Sequence, residues 1–232
     1  VLARRRPLGL SVNQCGGFVR SSADLDRPDQ QLYLNPVTYT TSPSNKREII
    51  NPDPFAGFIL SFQPARPSSR GRIDIRSTDP MEAPSIVPNY LSTQKDLDDV
   101  VAGGRLIQRT ARTASIRSFA REAMVPDIEQ FDDAGILEDF RQRCGSVFHP
   151  VSTCRMGQSE ATAVVGPDLK VFGVEGLRVA DASAFPSITS GNTNAPTIML
   201  AHRAASLILK ERPNGPVSIQ SQPQARLENF QA

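Results

Sequence analysis

The chain lacks any apolar run near the ~20 residues that a bilayer-spanning helix requires, so no membrane span is expected. It also lacks charge of one sign. Twenty-six Lys and Arg face 24 Asp and Glu, a net charge of +2. That balance argues against a nucleic-acid or anionic-membrane partner, and the cluster Arg4-Arg5-Arg6 reads as a solvated surface turn. Cysteine is scarce: Cys15, Cys144 and Cys154 form an odd, widely spaced set without a CxxC. Such a set provides neither a zinc site nor a disulfide framework, and buried free thiols in a reducing, cytoplasmic compartment are expected. No metal site is expected either, because acids such as Asp96, Asp98 and Asp99 suit the first turn of a helix through its dipole alone. A dinucleotide fingerprint GxGxxG is missing, since Gly16-Gly17 and Gly103-Gly104 stand in the wrong contexts for it.

What is present is a chain of 232 residues, enough for one large domain or two small ones. Nineteen prolines and 15 glycines imply many turns and extended segments, against a helical bundle. Residues 1–90 read mostly as strands: GFVRS, QQLYLNPVTY, FAGFILSFQP and RGRIDIRS are separated by Pro, Ser and Asn. Phe58, Leu60 and Phe62 fall on one face of such a strand. Thr93 and Asp96 predict a capping box. Leu97, Val100, Val101, Gly104, Ile107 and Ala111 then recur at helical spacing. A second helix is predicted from about Asp132 to Cys144, capped by Asp132 or Asp133, with Ile136, Leu137 and Phe140 inward. Glycine-punctuated loops and one buried strand, Leu177–Asp181, follow. A last helix opens near Asn194, tolerates Pro196 in its first turn and runs to about Glu211. Residues 213–232 are polar and Gln-rich and are expected to be a disordered tail.

Chemistry concentrates between His149 and Met199, which read HPVSTCRMG, GPDLKVFGVEGLRVADASAFP and SGNTNAPTIML. Only two histidines exist, His149 and His202. His202 lies within the last helix and reads as a surface or packing residue. His149 and Asn192 sit on separate loops, with a helix opening just after the second. This is the layout of a base and a polar partner converging near a helix N-terminus. Imidazole can accept a hydroxyl proton near neutrality, and a carboxamide can hold and orient the oxygen.

Those three segments resemble the C-terminal signature of the glucose–methanol–choline (GMC) oxidoreductases, flavoenzymes that oxidise alcohols, and most of all the choline dehydrogenase-like branch. The resemblance covers about residues 4–212, including the characteristic SRGRIDIRSTDPMEAPSIVPNYLS. It implies an α+β fold: an antiparallel substrate-side sheet with helices, plus the last strand and helix of an FAD-binding α/β (Rossmann-like) domain. Because Val1 is not an initiator Met and the fingerprint is missing, the chain reads as the C-terminal portion of a longer enzyme whose N-terminal Rossmann half is absent. The implied organisation is a substrate-binding portion over 1–147, the end of the FAD-binding domain with active-site loops over 148–212, and the tail.

By the same resemblance His149 and Asn192 are the catalytic pair. Asp181, Ala182, Asn194, Ala195, Pro196 and Thr197 are the flavin contacts, with FAD as cofactor. Asp181 is equally readable as a strand end and Asn194 as a helix cap. The implied reaction is oxidation of an alcohol CH–OH to a carbonyl, with His149 taking the proton and the flavin the hydride. The partners are then a small-molecule alcohol and an electron acceptor, oxygen or a quinone. Alternatives are a hydroxynitrile lyase on the same fold, or an isolated chain that is a non-catalytic fragment. One departure stands out: many family members have Gly where this chain has Ser152.

Overall fold

The structure is a computed structural model that describes residues 15–41, 50–124 and 127–211. The Arg4-Arg5-Arg6 cluster and the tail expected over 213–232 lie outside the described residues. Seven short strands come first: β1 (Cys15–Val19), β2 (Gln30–Asn35), β3 (Tyr39–Thr41), β4 (Ile50–Pro52), β5 (Ile59–Pro64), β6 (Arg72–Asp74) and β7 (Ser85–Val87). Helices α1 (Gln94–Ala111), α2 (Ala114–Arg117), α3 (Asp133–Arg143) and α4 (Asn194–Lys210) follow, with short 3-10 turns between them. The α+β class read from the sequence is observed.

The central sheet runs β1-β2-β5 and is antiparallel throughout. Its register sets Gln31 opposite Gln63, Leu32 opposite Phe62 and Tyr33 opposite Ser61. Side chains alternate between faces along a strand, so Leu32, Leu34, Leu60 and Phe62 share one face and Gln31, Tyr33, Ser61 and Gln63 share the other. The apolar face meets α1. Gly103 and Gly104 explain the close approach: a Cβ on Gly103 would strike the Phe62 ring, and one on Gly104 would strike Ile136 of α3. Phe62 and Phe140 of α3 pack with ring centroids 5.6 Å apart. Gln30, fully buried, turns to the helix side and donates to the Asp99 carbonyl at 2.8 Å.

Caps form largely as the sequence implies. Asp132 caps α3 by accepting from Gly135 N–H at 2.8 Å. Thr93 caps α1, its hydroxyl accepting from Asp96 N–H at 3.3 Å. The reciprocal half of the expected capping box is absent. The buried Asp96 carboxylate instead accepts from the Ser68 N–H at 2.7 Å, the Ser69 N–H at 3.0 Å and both serine hydroxyls. Two free N–H groups of a tight loop are stronger partners than one cap N–H, so the carboxylate ties that loop to the helix.

The described residues divide into two compact units. One comprises the residues up to Thr153 together with Ser187–Thr193; the other comprises Cys154–Pro186 and the residues from Asn194 onward. In the second unit the expected buried strand Leu177–Asp181 is not formed. Leu177 is half exposed, and pairing is limited to one antiparallel bridge, Lys170 to Arg178. Gly173 and Gly176, at φ +72° and +73°, turn the chain back on itself. Val171 N–H then reaches the Leu177 carbonyl at 3.0 Å, and Val179 N–H reaches the Leu169 carbonyl at 3.1 Å. A local fold-back takes up the hydrogen bonds that a longer ladder would need. Among the described residues no helix is long and apolar enough to cross a membrane. Cys15 and Cys144 are exposed, against the expectation of buried free thiols.

Candidate active site

His149 and Asn192 meet within the first unit. The imidazole Nε2 lies 3.0 Å from Asn192 Nδ2, across 43 positions of sequence. The other ring nitrogen, Nδ1, lies 3.1 Å from the Thr193 hydroxyl and 3.1 Å from the Phe148 carbonyl oxygen. A carbonyl oxygen only accepts, so this contact favours the tautomer with the proton on Nδ1. Nε2 then carries a lone pair, which suits it to accept from the Asn192 amide. The backbone just before the histidine is unusual. Phe148 adopts φ +57°, uncommon for a bulky residue, and leaves its ring 80% exposed.

Two elements hold Asn192. The loop carrying it is braced by Thr189, whose hydroxyl donates to the Gly191 carbonyl at 2.8 Å. It is also pressed against β1, where a Cβ on Gly191 would stand 3.3 Å from the Phe18 ring. The amide itself is engaged by the polar face of the sheet. Gln63 Nε2 donates to Gln31 Oε1 at 2.9 Å, and Gln31 Nε2 donates to Asn192 Oδ1 at 3.3 Å. Tyr33, two residues along β2 from Gln31, also hydrogen-bonds the Asn192 side chain. Burial pushes the Tyr33 phenol above its ordinary range, with the Asn192 bond acting in the opposite direction, so it stays neutral and able to hydrogen-bond. Gln31, Tyr33 and Gln63 were not singled out in the sequence. The available signal was that QQLYLN places Gln31 and Tyr33 on the face opposite its leucines.

The remaining site residues belong to the second unit. Asp181 caps a 3-10 turn, Ala182–Ala184, its carboxylate accepting from Ser183 N–H at 2.8 Å. It therefore ends no strand. Asn194 is the first residue of α4, with Pro196 in the first turn as expected. The 3-10 turn packs against α4, so Ala182 belongs to an element adjoining the one that begins Asn194, Ala195, Pro196 and Thr197. Asn194 and Ala195 are exposed, while Ala182, Pro196 and Thr197 are half-buried. No acidic residue lies in the first turn of α4. A helix N-terminus with small neighbours and no acidic residue in its first turn fits the electron-rich end of a planar ring. His202 is exposed on α4 and takes no part in the pair.

Residues 67–201 match the family described as GMC oxidoreductase. The chain is 38% identical over 211 residues to an alcohol dehydrogenase (acceptor) of Pseudomonas putida, covering 91% of this chain and 37% of that protein. It is 36% identical over 199 residues to the mitochondrial choline dehydrogenase of Homo sapiens, covering 84% of this chain and 32% of that protein. The solved structure of an FAD-dependent oxidoreductase from Chaetomium thermophilum superposes with a TM-score of 0.60 at 31% identity, over 66% of this chain and 26% of that one. The chain thus spans about a third of the length of the curated relatives it matches. With the family matched over more than half of its residues, this chain belongs to the GMC oxidoreductases.

Proposed function

We propose that the chain supplies the alcohol-oxidising pair of a flavin-dependent alcohol dehydrogenase or oxidase, with His149 as general base and Asn192 as the group that holds the alcohol oxygen. The observation that carries this reading is the 3.0 Å contact between His149 Nε2 and Asn192 Nδ2. When an alcohol displaces the bond between them, the Nε2 lone pair and the Asn192 N–H, side by side at 3.0 Å, offer one acceptor and one donor to the same hydroxyl. The hydroxyl donates to Nε2 while its oxygen accepts from Asn192. As the proton moves to Nε2, Nδ1–H remains on the Phe148 carbonyl and the Thr193 hydroxyl, so the cationic ring formed has partners already in place. Negative charge growing on the alcohol oxygen makes loss of hydride from its carbon easier, and the Asn192 N–H stabilises that charge. FAD, when bound, supplies the hydride acceptor. On this reading residues 1–147 serve the substrate side and 148–212 the end of the FAD-binding domain. Asp181, Ala182 and Asn194–Thr197 then hold the ring.

The test is anaerobic flavin reduction by a series of primary alcohols, including choline, in the flavin-loaded full-length protein. His149→Ala is expected to slow reduction about 10²–10⁴-fold and Asn192→Ala about a hundredfold. Rates within twofold of the unsubstituted enzyme for both variants would remove the assignment. Release of cyanide from a cyanohydrin without flavin bleaching would point instead to a lyase.

A further inference from the structure

We propose that Gln31 and Gln63 are positioning residues, a pair of strand amides whose hydrogen bonds run in one direction to Asn192 and keep His149 Nε2 as a lone pair. The proposal deepens the reading of His149 as a base, which needs that atom unprotonated, and rests on it. Each amide in the row has one accepting and one donating end. Gln63 donates to Gln31 at 2.9 Å, Gln31 to Asn192 at 3.3 Å, and Asn192 to His149 at 3.0 Å. Turning any one amide over sets oxygen against oxygen or N–H against N–H, so the row reverses as a whole or not at all.

Both ends oppose reversal. At the histidine end, the Thr193 hydroxyl can donate or accept in either arrangement, but reversal would place the proton on Nε2 and bring the Nδ1 lone pair against the Phe148 carbonyl oxygen, 3.1 Å away. At the sheet end, Gln63 Oε1 is buried and accepts no hydrogen bond among the described residues. Reversal would bury an unpaired NH₂ there in its place. An under-satisfied carbonyl costs less than an orphaned donor. The two ends are independent, and both select the arrangement that leaves a base facing Asn192. Gln31, at 7% exposure, is the buried middle of the row. Cross-strand pairing of Gln31 with Gln63 fixes the two amides side by side on β2 and β5.

A glutamate in the row reverses it, because a carboxylate accepts and does not donate. With Gln31→Glu, Asn192 must turn its NH₂ toward β2 and present Oδ1 to the histidine. Gln63→Glu does the same from one residue further away. The histidine nitrogens of the ¹⁵N-labelled chain, carrying His202→Gln to leave one imidazole signal set, report the outcome at about pH 8, above the ordinary imidazole range. The expected result is a protonated Nδ1 and bare Nε2 in the parent chain, and a protonated Nε2 in both glutamate variants. Should Gln31→Glu fail to fold, Gln63→Glu decides alone. An Nε2 that stays bare in a folded glutamate variant overturns the proposal.

In the flavin-loaded full-length protein, Gln63→Glu is expected to lower the maximal rate of flavin reduction about tenfold, or about 1.4 kcal/mol. The half-saturating alcohol concentration should shift less than about twofold, because the residue touches the row and not the alcohol. An unchanged tautomer sinks the row and leaves the base assignment standing. A changed tautomer with an unchanged rate sinks the base assignment and leaves the row.

Discussion

Ser152 holds φ +73°, in the left-handed region that side chains with a Cβ avoid. The resemblance expects glycine at this place, and the backbone supplies the reason. Ser152→Gly should raise stability by about 1 kcal/mol, less the extra freedom glycine gains in the unfolded chain. A higher urea midpoint at constant slope would show it, and an unchanged or lower midpoint would refute it. The same scale divides what the sequence revealed from what it hid. His149 and Asn192 were legible because a lone imidazole and a carboxamide stood in segments with a recognisable order. Gln31 and Gln63 were not, since a strand amide bound for water and one bound for another amide look alike until the register is known. The register pairing them depends on residues 32 positions apart.

At the scale of elements, Asp96 carries a charge that joins a loop to a helix. Burial alone would raise its carboxyl, but the bonds from Ser68 and Ser69 outweigh burial and take it from 3.8 to about 2. A carboxyl held lower in the folded state than in the unfolded one stabilises the fold fully above the unfolded value, and that stabilisation fades as pH falls from 3.8 toward about 2. Asp96→Asn should therefore cost about 2 kcal/mol at neutral pH, with the gap to the parent chain closing as pH falls through that window. A gap that stays constant in acid would show that packing, and not charge, links the loop to α1. Thr93 and Asp96 correctly marked where α1 begins, although the carboxylate's true partners lay beyond the reach of local sequence. Gly103 offers a second test. Gly103→Ala places a methyl into the Phe62 ring and should destabilise by about 2 kcal/mol. An equivalent substitution at Gly17, where nothing lies within 4 Å of the added Cβ, should cost much less. Periodicity identified α1, which buries Val100, Gly104 and Ile107 on one face, whereas α4 was marked by the residues at its ends, such as Asn194 and Pro196 at its start. Sequence pattern misassigned Leu177–Asp181 because an apolar run signals burial but does not say whether a strand partner is at hand.

For the molecule as a whole, the decisive quantity is how much of a flavin site one chain contains. The residues assigned to the ring, from Asp181 to Thr197, lie at the end of an alanine-lined turn and at the opening of α4. On the proposed reading they offer the ring small apolar contacts and a helix N-terminus. The diphosphate of FAD demands something else: a glycine-rich turn that lets backbone N–H groups approach it, at the N-terminus of another helix. No GxGxxG occurs among the 232 residues. On the reading proposed here, the chain alone contacts only the ring end and leaves the charged end of the cofactor without its partners. The chain purified by itself should then be colourless and should lose added FAD on gel filtration. The full-length protein should carry bound flavin and bleach with alcohol. FAD retained at one equivalent by the chain alone would mean that the ring contacts suffice, and would overturn the reading in which the diphosphate is held by residues outside this chain.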